Sequence, residues 1–295
     1  MKTKVGSIVV GIDGSSPSKQ ALGWAVEQAV AEHRAITLVH AVPPNTPAWL
    51  DPAGSTPREA HQLSLRNKGQ DVLDRARDEV QRLGPGVTIY DVCRIEDPRE
   101  ALVELSETAS MIVLGSRGRG HLKSLLLGST AVALVRHAHC PVIVHRPTAP
   151  SPARNGIAVG ADATEGSLPV LEFAYQQAAI RQQPLTVVHS FWYFPQPSSV
   201  ADGSADRPTS MSHQQLALAE SLAGFAEKYP DVTVHTEIDQ GTPERHLLRL
   251  AEQTNMLVVG AHHGTRGQQF MFGSVSVWLV EHATCPVAVI PLSAD

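Results

Sequence analysis

One residue pattern occurs twice in this chain, and this repeat limits the fold more than any other feature. Residues 9–13, Val-Val-Gly-Ile-Asp, return as Ala-Val-Gly-Ala-Asp 149 positions later, and the Cys-Pro-Val sequence at 140–142 returns 145 positions later. With 295 residues, the chain is long enough for each copy to bury a core of its own. We therefore predict two tandem domains, at 1–146 and 156–295, joined by a proline-containing linker at 147–155.

Within each copy, short apolar runs alternate with helical patterns. The first copy begins with a β run at 7–12, followed by apolar residues at the i, i+3, i+4, i+7 spacing of a helix from Leu22 to Ala29. Further strands are predicted at 36–42, 87–95, 111–114 and 142–145, with helices between them, and the second copy repeats this order. The alternation favours a parallel sheet covered by helices on both faces. The predicted fold class is α/β: two doubly wound, Rossmann-like domains, each a five-stranded parallel sheet of strand order 3-2-1-4-5.

A glycine-rich loop follows the fourth strand of the first copy. It begins with Gly115-Ser116-Arg117-Gly118 and, after nine more residues, reaches Gly128-Ser129-Thr130. A helix is predicted from Ser129 to His137, with Ser129 or Thr130 placed to cap its start. Glycines let backbone N–H groups approach an anion closely, and a helix N-terminus favours negative charge. The loop therefore predicts a phosphate site, although a simple flexible turn would have the same composition.

Asp13 stands at the predicted end of the first strand. In doubly wound sheets, ligands bind beyond the carboxyl ends of the strands, where the strand order reverses, so Asp13 and the glycine loop are expected to face one cleft. A carboxylate repels phosphates but accepts hydrogen bonds from ribose hydroxyls or an adenine amine. With the backbone near Ala41-Val42 meeting the base edge, these positions describe a bound nucleotide.

The overall composition excludes several classes of protein. The net charge is −5, from 24 basic and 29 acidic residues, which argues against a nucleic-acid partner. No apolar run reaches the 18 residues of a transmembrane helix, and the first residues do not resemble a signal peptide. Three widely spaced cysteines, Cys93, Cys140 and Cys285, do not form a disulfide framework. We expect a cytoplasmic protein with no membrane insertion.

Other chemically active residues favour structural interpretations. His137, His139 and Cys140 include metal-ligand types, but no second cluster at metal-binding spacing accompanies them, so no metal is predicted. His40 and His189 end their strands at repeated positions, and packing is the preferred interpretation for both. No pair of nucleophile and base is visible at a local spacing, so no catalytic residue is assigned and binding is favoured over catalysis.

These motifs resemble those of the universal stress protein family. The resemblance is carried by Gly-x-x-Gly, nine residues and Gly-Ser/Thr, by the early Val-Gly-Ile-Asp strand and by the terminal His-Cys-Pro-Val strand, and it covers nearly the whole chain twice. One branch of that family binds ATP through this loop. The resemblance thus implies a nucleotide site in the first copy at Gly11, Asp13, Ala41, Leu114, Gly115, Arg117, Gly118, Gly128, Ser129 and Thr130.

The second copy departs from the family pattern. His263 stands where the first copy has Gly118, and its Cβ narrows the approach to a phosphate. The separation of thirteen residues from Gly260 to Gly273 is nevertheless conserved between the copies. By the same repeat, its last helix is expected to follow the glycine loop that ends in Gly273-Ser274-Val275. ATP binding is therefore still expected in the second copy, at the corresponding positions Gly160, Asp162, Ser190, Val259, Gly260, His262, Gly273, Ser274 and Val275.

The resemblance also implies a function. It predicts an ATP-binding regulatory protein of the stress response, with or without Mg bound to the ATP, whose conformation or partner binding depends on the nucleotide. A homodimer and an unidentified protein partner are expected on the same basis. Two alternatives remain open: a slow ATPase or phosphotransferase, which requires a positioned base and metal carboxylates, and a nucleotide-free interaction scaffold.

Overall fold

The computed structural model describes residues 4–44, 58–116, 118, 127–146, 154–191, 211–262 and 269–292. The chain divides into two compact units, Met1–Pro147 (unit 1) and Thr148–Asp295 (unit 2). Of the described helices, none is both long and apolar enough to cross a membrane.

Unit 1 is a doubly wound domain. Its elements are β1 (Ile8–Gly11), α1 (Ser16–Ala31), β2 (Ile36–Ala41), α2 (Arg58–Leu83), β3 (Ile89–Arg94), α3 (Pro98–Ser106), β4 (Met111–Gly115), α4 (Ser129–His137) and β5 (Val142–His145). The strands pair in parallel in the order β3-β2-β1-β4-β5, which confirms the predicted fold class and strand order. The order reverses between β1 and β4, so the carboxyl ends of these two strands flank the expected ligand cleft.

Unit 2 repeats this architecture. Its elements are β6 (Ile157–Gly160), α5 (Leu168–Arg181), β7 (Leu185–Phe191), α6 (Met211–Lys228), β8 (Val234–Gln240), α7 (Pro243–Ala251), β9 (Met256–His262), α8 (Gln269–His282) and β10 (Val287–Leu292). The strands are parallel in the order β8-β7-β6-β9-β10. The central strands are fully buried, because helices cover both faces of the sheet.

The expected start of the last helix in unit 2 is wrong. β9 continues to His262, three residues beyond Val259, which aligns with Leu114 of the first copy, and α8 begins at Gln269, so Gly273 and Ser274 lie inside the helix. Six residues therefore separate strand from helix in unit 2, whereas thirteen separate β4 from α4 in unit 1. A glycine inside a helix costs only about 1 kcal/mol, which is too little to end a helix that packing stabilises.

Replacement by alanine should have opposite effects on stability at two helical glycines of unit 1. A Cβ added to Gly69 in α2 would lie 2.7 Å from the Cys93 Sγ and 3.0 Å from the His40 Cδ2, whereas a Cβ on Gly23 in α1 would meet no atom within 4 Å. Gly23→Ala should raise the free energy of unfolding by about 1 kcal/mol through helix propensity. Gly69→Ala should instead lower it by about 1–3 kcal/mol, because overpacking exceeds that gain. Urea denaturation of both variants tests this pair, and equal shifts would contradict the close contact at Gly69.

The three cysteines are free thiols. Cys140 and Cys285 are buried, and burial raises the pKa of the Cys140 thiol to about 12 and that of Cys285 to about 11. Cys93, at the outer strand β3, is half-buried, and partial burial also raises its pKa. None of the three is therefore activated as a nucleophile at neutral pH.

Candidate functional site

Asp13 is held in a tight turn between β1 and α1. The Ser15 N–H donates to the Asp13 Oδ1 at 2.9 Å, and Gly14 adopts the left-handed φ of +79° that this turn requires. Ser15 also caps α1, because its Oγ accepts from the Ser18 N–H at 3.3 Å. The Ser15 N–H thus helps to anchor the Asp13 carboxylate at the carboxyl end of the central strand.

Gly118 lies against the other oxygen of Asp13. A Cβ built on Gly118 would be 2.7 Å from the Asp13 Oδ2, closer than real Cβ atoms approach a neighbour. Gly118 is exposed, so the contact lies at the surface of the cleft and not inside the core. The structure therefore places Gly118, from the loop after β4, beside the carboxylate that follows β1. Arg117 lies outside the described residues.

The N-terminus of α4 opens beside the glycine loop. Gly128 is the N-cap residue, in extended conformation with φ −72° and ψ 145°, so the expectation of Ser129 or Thr130 as the cap is wrong by one or two positions. Without a side chain, Gly128 makes no side-chain cap, and Ser129 and Thr130 occupy the first helical turn. The N–H groups of this turn have no intrahelical acceptor, which makes them donors for an anion.

Backbone hydrogen bonds fasten this helix start to the sheet. The Gly128 N–H donates to the Ser116 carbonyl at 3.0 Å, and the Ser116 N–H donates to the His145 carbonyl, also at 3.0 Å. Ser116 is buried and forms the joint between β4, β5 and α4, a role that sequence reasoning did not assign. Burial lowers the pKa of the His145 ring, so the ring is neutral near pH 7.

One of the predicted glycines, Gly115, permits close packing at the sheet, whereas Gly11 leaves room for an ordinary contact. A Cβ on Gly115 would lie 2.7 Å from the backbone carbon of Pro17, so only glycine lets α1 pass this close to the end of β4. A Cβ on Gly11 would lie 3.4 Å from the Leu102 Cδ1. The Leu114 side chain is buried and its backbone lies opposite Val144 in the β4–β5 pair, whereas Ala41 is half-exposed at the end of β2.

Unit 2 has the aspartate but not the same surroundings. The Asp162 Oδ1 accepts from both the Thr164 N–H at 3.0 Å and the Thr164 hydroxyl at 2.7 Å. Ala163 takes the left-handed φ of +60° at the position of Gly14, a conformation that is strained for a residue with a Cβ. The Ser190 Oγ, at the position of Ala41, is buried and makes no hydrogen bond.

The remaining predicted positions of unit 2 are packed within secondary structure. A Cβ on Gly160 would lie 3.0 Å from the Leu247 Cδ1, and one on Gly260 would lie 2.8 Å from the Leu292 Cδ1. Val259 is buried, and Val259, Gly260 and His262 belong to strand β9. Gly273, Ser274 and Val275 lie inside α8, so the first N–H groups of that helix belong to residues before Gly273. His263 lies outside the described residues.

Within the described residues, no three or more His, Cys, Asp or Glu side chains are grouped so that they could hold a metal ion. His137 and His139 are exposed at the end of α4, whereas Cys140 is buried, so these side chains do not converge on a common site.

Known proteins match the chain along nearly its full length. The model of the universal stress protein family matches residues 4–146 and again residues 154–291. A universal stress protein of Mycolicibacterium smegmatis is 32% identical over 294 residues, which cover 96% of each chain. A universal stress protein of Mycobacterium tuberculosis is 30% identical over 293 residues, which cover 96% of this chain and 95% of that protein.

The fold is also found among solved structures. The crystal structure of a universal stress protein from Archaeoglobus fulgidus matches with a TM-score of 0.68 and 19% identity, covering 97% of this chain and 96% of the other. At this identity the likeness concerns the fold alone. The assignment rests on the two family-model matches and on relatives at 30% identity or more over nearly the whole chain. This chain therefore belongs to the universal stress protein family and contains its domain twice.

Proposed function

We propose that unit 1 binds ATP and that the protein is a cytoplasmic regulator of the stress response, the role that its family name indicates. The close approach of Gly118 to the Asp13 carboxylate carries this proposal, because it sets a glycine that could admit a phosphate next to a hydrogen-bond acceptor at an exposed position. In doubly wound sheets this is the region where nucleotides bind.

Each part of the nucleotide has a matching group in unit 1. The phosphates would lie on the glycine loop and on the first-turn N–H groups of α4, where a helix N-terminus stabilises negative charge. Asp13 would accept hydrogen bonds from the ribose hydroxyls or the adenine amine. The half-exposed backbone at Ala41 would meet the edge of the base.

Unit 2 is the weaker candidate for the same ligand. Its Gly273-Ser274 lies inside a helix, so this pair does not supply first-turn N–H groups as Ser129 and Thr130 do in unit 1. We therefore propose that one ATP per chain binds tightly, in unit 1. Binding at Asp162, Ser190 and Gly260 would require α8 to start later than it does in this structure.

Binding is a better proposal than catalysis. Phosphoryl transfer needs metal ligands and a group that orients the nucleophile, and Asp13 is the only carboxylate that the described part of unit 1 places against the glycine loop. The proposed action is therefore regulatory: bound nucleotide alters the conformation offered to a second copy of the chain or to another protein. A slow ATPase or phosphotransferase, and a nucleotide-free scaffold, are the alternatives to be tested.

The deciding experiment measures nucleotide in the freshly purified protein, by denaturation and anion-exchange chromatography, followed by calorimetric ATP titration with and without Mg. We expect about one ATP per chain, with no turnover when product formation is followed over hours. Two ATP per chain would show that unit 2 also binds. Absence of both bound nucleotide and titratable binding would overturn the proposal in favour of the scaffold, and steady product formation would favour the ATPase.

A further inference from the structure

A buried histidine binds the backbone next to Asp13. His40, near the end of β2, is 7% exposed, and its Nδ1 lies 2.6 Å from the Ile12 carbonyl oxygen. The pairing of β1 with β2 continues just past β1, where the Ile12 N–H donates to the Val39 carbonyl at 2.8 Å. Because a carbonyl can only accept, the His40 Nδ1 must carry a hydrogen and donate it.

The second unit contains the same contact. His189 is 4% exposed, and its Nδ1 lies 3.0 Å from the Ala161 carbonyl oxygen. In both units the bonded carbonyl belongs to the residue directly before the aspartate, Asp13 in one and Asp162 in the other. Two units that differ at half of the aligned site positions thus share one polar contact to one peptide group, which incidental packing of a histidine does not explain.

The histidine rings are held in place by the neighbouring helices. In unit 1, Gly69 of α2 passes so close that a Cβ there would lie 3.0 Å from the His40 Cδ2. In unit 2, the His189 Nε2 is hydrogen-bonded to the Gln214 side chain of α6 at 2.8 Å. Each ring therefore has a fixed orientation, and the donor points at the carbonyl without loss of rotamer freedom on ligand binding.

We propose that His40 is a positioning residue of the nucleotide site and acts through Asp13. The Ile12 carbonyl and the Asp13 N–H share one planar peptide group. The hydrogen bond from His40 therefore fixes the orientation of that plane and with it the positions of the Asp13 N and Cα atoms. Asp13 then presents Oδ1 to the Ser15 N–H and Oδ2 to the Gly118 side of the cleft. This inference rests on the proposed function of unit 1.

The test compares three histidine variants by ATP titration. His40→Leu removes the donor, His40→Asn retains a donor near the place of Nδ1, and His189→Leu is the matched control in unit 2. Loss of one neutral hydrogen bond predicts a Kd about five- to tenfold higher for His40→Leu. His40→Asn should recover most of the affinity, and His189→Leu should leave the Kd within about twofold of wild type while lowering thermal stability as much as His40→Leu does.

A double-mutant cycle separates positioning from general loosening. If His40 acts through Asp13, His40→Leu should weaken binding no further when Asp13→Ala is already present. Equal losses in both backgrounds, or an unchanged Kd for His40→Leu in a protein that binds ATP, would overturn the inference.

A ligand-free measurement keeps this test independent of the proposed function. Amide hydrogen exchange at Asp13 and Ser15 should be about five- to tenfold faster in His40→Leu, with little change elsewhere in unit 1. If wild type binds no ATP, the proposed function fails, and this measurement alone decides whether His40 orders Asp13. Unchanged exchange at both amides would overturn the positioning role whatever the titration shows.

Discussion

Replacing Gly118 with aspartate should remove ATP binding, with a Kd at least about 100-fold higher than that of wild type. The new Cβ would lie 2.7 Å from the Asp13 Oδ2, so the loop must move away from Asp13. The added carboxylate would also face both Asp13 and the phosphates. Two like charges about 4 Å apart near a protein surface repel by about 4 kcal/mol, more than the 2.7 kcal/mol that a 100-fold change represents.

Calorimetry on freshly purified, nucleotide-stripped protein measures this effect. Gly166→Asp adds the same charge to an exposed turn of unit 2, where an added Cβ would meet only the Thr164 Oγ1 at 3.4 Å, and should leave the Kd unchanged. Gly118→Ala introduces the Cβ without the charge and should have an intermediate effect, about tenfold. Wild-type affinity in Gly118→Asp would show that the cleft beside Asp13 is not the nucleotide site.

The fold could be predicted largely because its signals are local. Buried parallel strands have short apolar sequences, and the repeat shows twice where each one falls. The helix from Ser129 to His137 and the strand from Val142 to His145 have the predicted bounds, since Gly128 and Pro141 interrupt the pattern on either side. The strand order then follows from the general topology of doubly wound sheets.

The site was less predictable, because its details depend on contacts between distant segments. The sequence places a carboxylate after β1 and glycines after β4, but only the folded chain shows that Gly118 touches Asp13. The repeated histidines were visible at His40 and His189, and packing was the preferred interpretation. Each histidine is hydrogen-bonded to the carbonyl of the residue before the aspartate, Ile12 or Ala161. This bond depends on where the pairing of the first two strands of the unit ends, and no residue pattern marks that point.

The start of α8 shows the limit of reasoning from a repeat. Gly273-Ser274 aligns with Gly128-Ser129, yet the former pair lies within a helix and the latter pair begins one. In unit 1, the Gly128 N–H is bonded to the Ser116 carbonyl, which holds the chain outside the helix at that point. A matching sequence motif therefore does not ensure a matching set of free N–H groups, and the proposed difference between the units follows from this.

The two units also differ in the side chains that pack the first helix against the second. This difference leads us to expect the largest loss of stability from a substitution in unit 2. In unit 2, Tyr175 of α5 is 1% exposed and stacks on Phe225 at 4.9 Å and on Tyr229 at 5.6 Å between ring centroids. The Tyr229 hydroxyl donates to Glu172 at 2.6 Å. At the position of Tyr175, unit 1 has Val26. Val26 packs against Gly84 so closely that a Cβ on Gly84 would lie 2.7 Å from the Val26 Cγ1.

Tyr175→Ala should therefore destabilise unit 2 by about 3–5 kcal/mol, since it removes a fully buried ring together with its stacking partners. Val26→Ala removes much less buried surface and should affect unit 1 by a smaller amount. Amide exchange at increasing urea reports on each unit separately, so the two variants serve as controls for each other. If Tyr175→Ala left the protection of β6 and β7 unchanged, the aromatic stack would not be what fastens α6 to α5.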